Sequence, residues 1–78
     1  MMRTEICASD DHDTIARLQE AIAAVGGRPD ADGSGIGIGL NRFSTPEGEL
    51  TVFVDAWLVD VAGPDELVKR LLQRLAEL

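Results

Sequence analysis

The chain has 78 residues, 14 acidic against 7 basic, a formal charge of −7, one cysteine (Cys7) and one histidine (His12). That length predicts one small domain with a modest core, and the lone Cys7 and His12 exclude an internal disulfide and a Cys/His zinc framework. The acidic excess repels phosphate backbones and anionic lipid surfaces, so neither nucleic acid nor membrane is an expected partner. It suits plain solubility, or a basic protein partner. No apolar run approaches the ~20 residues of a membrane span. The N-terminus has no apolar stretch before a cleavage site, and the expected location is cytoplasmic.

Residues 3–8 alternate as a short strand, with Thr4, Ile6 and Ala8 on one side. Ser9, Asp10, Asp11 and Asp13 then supply helix-start chemistry, because their oxygens accept from the unpaired N–H groups of a first turn. A helix is predicted over residues 11–25. Ile15, Leu18, Ile22 and Val25 form its apolar stripe, and Gly26 and Gly27 stop it.

Residues 28–34 read as a polar loop. A strand rich in glycine follows over residues 35–43, in which Gly35, Gly37 and Gly39 alternate with Ile36, Ile38 and Leu40. Thr45, Pro46, Glu47 and Gly48 are a strong turn signal. The apolar run over residues 49–61 is predicted as one long strand, with a bulge or bend to accommodate its length. Gly63, Pro64, Asp65 and Glu66 open the last helix, with Pro64 at its first position. Val68, Leu71, Leu72 and Leu75 make its buried stripe, flanked by Leu67 and Leu78, and Glu66 is spaced to pair with Arg70.

The predicted fold is α+β, a β-α-β-β-α two-layer sandwich. It has a three-stranded antiparallel sheet in spatial order 1-3-2 and both helices on one face. This topology resembles a ferredoxin-like sandwich lacking its last strand. A short turn at Pro46 pairs Ser44 with Leu50, Leu40 with Val54, Ile38 with Ala56 and Ile36 with Leu58, all toward the helices. Phe53, Asp55, Trp57 and Val59 then share the open face with Asn41, Gly39, Gly37 and Gly35. There the indole of Trp57 covers a bare glycine strip. A one-residue slip exchanges the two sets.

Four constellations invite a chemical reading and fail. The glycines from Gly33 to Gly39 lack the Gly-Lys-Ser/Thr of a phosphate loop, and they precede a strand rather than a helix. Asp10, Asp11, His12 and Asp13 diverge around a helix start instead of converging on one ion. Asp55 and Asp60 have opposite parity. Cys7 and His12 lack an orienting third group and an oxyanion site.

No catalytic residue, metal or cofactor is expected. The leading expectation is a non-catalytic acidic interaction module, an adaptor or immunity-like protein by size and charge. It would bind a protein partner or a second copy through Phe53, Asp55, Trp57, Gly37 and Gly39. The alternative is a small dimeric ligand-sensing domain, with a ligand near the glycine-rich strand.

Overall fold

A computed structural model describes residues 1–29 and 36–77. The elements in chain order are β1 (Met2–Ala8), α1 (His12–Ala24), β2 (Arg28–Pro29), β3 (Gly39–Thr45), β4 (Gly48–Val54), β5 (Leu58–Gly63) and α2 (Asp65–Glu77). The strands form one five-stranded sheet in the order β1-β5-β4-β3-β2, with every neighbouring pair antiparallel. The expected three-stranded sheet in order 1-3-2 is therefore incorrect, as is the truncated ferredoxin-like topology. The class remains α+β.

Two local causes add the strands. First, the apolar run over residues 49–61 is a hairpin. Asp55 Oδ1 accepts the backbone N–H of Trp57 and of Leu58, each at 2.7 Å, and the Asp55 N–H donates to the Leu58 carbonyl at 3.1 Å. An aspartate at the first turn position that captures N–H groups two and three residues on reverses the chain. Second, Arg28 and Pro29 pair with Ser44 and Phe43 as a two-residue edge strand where a loop was expected. Proline is tolerated at an edge because it has no ladder N–H to offer. The rest of that loop, with Gly33 and Ser34, lies outside the described residues, as do Gly35 of the expected glycine-rich strand and Leu78.

The β3–β4 register differs from expectation by one residue. Thr45 pairs with Gly48, which leaves only Pro46 and Glu47 in the turn, so Ser44 faces Glu49 and Leu40 faces Phe53. The Thr45 hydroxyl accepts the Glu47 N–H and donates to the Gly48 carbonyl at 2.8 Å, and Gly48 adopts a φ of 137° that favours glycine. The slip leaves β4 facing as expected and turns β3 over. Phe43, Leu50, Val52, Val54, Val59 and Val61 now point inward, all 9% exposed or less. Val59, expected on the open face, is a core residue.

Leu18, Ala21 and Ile22 of α1 and Leu67, Val68 and Leu71 of α2 close over that inner face. The Asp11 carboxylate caps α1, accepting from the Thr14 N–H and hydroxyl at 3.2 and 2.7 Å. At the other end Gly26 (φ 85°) and Gly27 return N–H bonds to Ala23 and Ile22, the glycine-dependent helix stop. Pro64 stands one residue before α2, and its carbonyl accepts the Val68 N–H at 2.9 Å. Arg70 pairs with Glu47 rather than Glu66, fastening α2 to the β3–β4 turn. Glu66 pairs with Lys69.

Candidate functional site

The outer face of the sheet carries no helix among the described residues. Its centre is occupied internally. Arg3 of β1 donates through Nε and Nη2 to Asp60 Oδ2 of β5 at 3.2 and 3.0 Å. The same guanidinium lies over the Phe53 ring of β4, 4.2 Å from its centroid. Glu5 stands directly across from Asp60. Phe53 is thus on the open face, as expected, but beneath a cation.

The apolar surface that stays uncovered lies at the β4–β5 turn. Trp57 at the turn tip is 77% exposed. Leu58 follows it, 37% exposed, on the same face as Phe53 and Asp60. Leu40, opposite Phe53 on β3, is 53% exposed, and Ile38 just before β3 is 91% exposed. Single exposed apolar residues are ordinary; here Leu40 and Leu58 share the outer face with Phe53, and Trp57 and Ile38 are exposed in the segments next to those strands.

This turn is held firmly. Besides the two bonds to Asp55, the Ser9 N–H donates to the Trp57 carbonyl at 3.0 Å, and the Ser9 hydroxyl donates to the Ala56 carbonyl at 2.9 Å. The β1–α1 connection is thereby tied to the β4–β5 tip through Ser9, and the exposed Asp10 is the next residue along that connection. The N–H groups of Leu58 and Trp57 hold the Asp55 carboxyl below the usual carboxylate range. The Thr14 hydroxyl and N–H do the same for Asp11.

The other expected site residues fall elsewhere. Gly37 lies ahead of β3, where Asn41 brackets it: the Gly37 N–H donates to Asn41 Oδ1 at 3.0 Å and Asn41 Nδ2 donates to the Gly37 carbonyl at 2.7 Å. Gly39 begins β3 on the inner side, opposite Val54. The bare glycine strip beneath Trp57 is therefore not formed by the described residues. Asp55 caps a turn instead of sitting on the face. Leu40, Leu58, Ile38 and Ser9 belong to this surface and were missed. The signal for Leu58 and Ser9 was Asp55, a turn former interrupting an apolar run, whereas Leu40 and Ile38 depended on the length of the turn between Thr45 and Gly48.

Among the described residues no three His, Cys, Asp or Glu side chains gather as a metal site. The Cys7 thiol is pushed up, first by burial and then by Asp11 and Asp10, which opposes a nucleophilic thiolate. Asp55 and Asp60 serve a turn and an ion pair. No helix among the described residues is long and apolar enough to cross a membrane. Two shallow grooves, of about 460 and 500 Å³, adjoin one another beside the C-terminal half of α1 and share Ala23 and Gly27. The first is lined mainly by α1 with Pro29 and Phe43, the second by Arg28, Ser44 and Pro46.

In comparisons with protein-family models, curated proteins and solved structures, nothing matches this chain.

Proposed function

We propose that this protein is a non-catalytic interaction module that docks a basic protein partner on its open sheet face, at the β4–β5 end. The observation that carries the reading is Trp57, 77% exposed at a turn tip held by Asp55 and Ser9. Tryptophan is favoured at interface centres, and a rigid anchor loses little freedom on binding. The charge of −7 opposes self-docking and steers a positively charged protein toward the face. The lone thiol suits a reducing, cytoplasmic setting.

The test begins with light scattering across concentrations, where a monomer is expected. Wild-type and Trp57→Ala baits then select candidates, and each candidate is purified and titrated while Trp57 emission is followed. A saturable 1:1 complex that weakens with salt and is lost in Trp57→Ala supports the proposal. Dimers dissociated by Trp57→Ala, or equal binding by both baits, overturn it.

A second reading, the dimeric ligand-sensing domain, draws on the grooves beside α1. Their volumes fall in the range of small-molecule sites, and Pro29 and Phe43 give the first an apolar wall. A ligand there would raise the melting temperature without any protein present.

A further inference from the structure

We propose that the β4–β5 tip recognises an arginine of the partner, whose guanidinium stacks on the Trp57 indole and pairs with the carboxylates of Asp55 and Asp10. The inference rests on the docking reading above and specifies the chemistry of what docks.

The molecule contains the same arrangement once already, made internally. Arg3 lies 4.2 Å over the Phe53 ring and is held there by Asp60. A cation over an aromatic face beside a carboxylate is attracted by both ring quadrupole and charge. Trp57 presents the larger ring, 77% exposed, on a turn whose backbone is bonded to Asp55 and to Ser9, the residue before Asp10. Asp55 spends Oδ1 on the turn, and its Oδ2 takes no part in those bonds. Its carboxyl stays ionised through neutral pH. Ser9 bonds the tip through its N–H and its hydroxyl, and Asp10 follows it directly in the chain.

The cations of the surrounding elements leave the place open. Arg3 hydrogen-bonds Asp60 and reaches Asp55 only through its charge, and Arg42 sits opposite Thr51, on the far side of Leu40 and Phe53 from the tip. Arginine is favoured over lysine because a planar guanidinium stacks and hydrogen-bonds to carboxylates at the same time. Leu40 and Leu58 then receive the apolar stem or neighbours of that arginine.

The probe is an acetylated, amidated peptide of repeated Arg-Gly-Gly, set against lysine and citrulline counterparts. The readout is the indole N–H resonance of the only tryptophan, with the backbone amides of Ser9 and Leu58 as reporters in variants. The expected result is a saturable shift with arginine, weaker binding with lysine and none with citrulline, which keeps the shape without the charge. Trp57→Leu should weaken binding about two- to fivefold. Asp10→Asn and Asp55→Asn should each cost about twofold, and the asparagine oxygen at 55 still accepts the turn bonds. Equal shifts with arginine and citrulline, shifts confined to other surfaces, or no shift at millimolar peptide overturn the inference. The docking reading fails separately. A partner lost in Trp57→Ala but indifferent to Asp10→Asn and to lysine-for-arginine replacement sinks this proposal and keeps that one. A partner indifferent to Trp57→Ala sinks both.

Discussion

Asp55 and Trp57 are joined by a single short bond, from the Trp57 backbone N–H to Asp55 Oδ1 at 2.7 Å, and the same oxygen also accepts the Leu58 N–H. One side chain therefore divides an apolar run into two strands and lifts an indole into solvent. Asp55→Ala removes the acceptor for both N–H groups and should lower the melting temperature, loosen the tip and reduce the fluorescence anisotropy of Trp57. Asp55→Asn keeps an acceptor oxygen and should retain most of the stability and anisotropy. Equal losses in the two variants would mean that charge, rather than the turn bonds, is what matters.

Acid should act on two turns together. The carboxyls of Asp55 and Asp11 sit below their ordinary range because N–H and hydroxyl groups donate to their charged forms. A depressed folded-state pKa contributes stability that is fully present above the unfolded-state value and is lost as pH falls through the folded-state value. The contribution of these two groups to the urea midpoint is expected to be level from neutral pH to roughly pH 5 and to decline below it. Asp11→Asn combined with Asp55→Asn should flatten part of that decline. An unchanged acid limb in the double variant would show that other carboxylates govern it.

The register of β3 and β4 makes a sharp distinction between neighbours. Phe43 lies in the core at 7% exposed, while Leu40 stands on the outer face at 53%. Phe43→Ala should cost about 3–5 kcal/mol, enough to unfold many domains of this size. Leu40→Ser should change stability by no more than about 0.5 kcal/mol. Denaturant titrations of the two variants would exchange these values if Leu40 were the core residue.

How far the sequence could be read follows from how many residues each feature depends on. The helices were legible because several residues agree: the Asp11 cap, the stripe through Leu18 and Ile22, the stop at Gly26, and the Leu67 to Leu75 stripe. The faces of β4 were legible because Leu50, Val52 and Val54 alternate without interruption. The β3–β4 register hung on one residue of turn length at Thr45 and Gly48, and a slip there inverts a whole strand. The β4–β5 turn hung on Asp55 alone, within a run apolar enough to pass for one strand. The site inherited both errors. Trp57 and Asp55 stood out by residue type, but the glycines assigned beneath them lie elsewhere, and Leu40 was turned inward.

Arg3 and Asp60 give the last prediction. Asp60 Oδ2 takes both guanidinium bonds, while its Oδ1 is buried with no hydrogen-bond partner. Desolvating a carboxylate oxygen without a partner is costly, so the pair itself is a weak source of stability, although breaking it on one side is harmful. Arg3→Ala removes the cation from Asp60 and uncovers Phe53, and should cost about 1 kcal/mol. Asp60→Val leaves Arg3 only the ring and places a β-branched residue in a strand. The double variant should therefore be more stable than Arg3→Ala alone, with a positive coupling in the cycle. Urea unfolding of the four proteins measures this directly. Additive losses would mean that Arg3 acts through Phe53 and not through Asp60, and that the unpartnered oxygen costs the fold nothing.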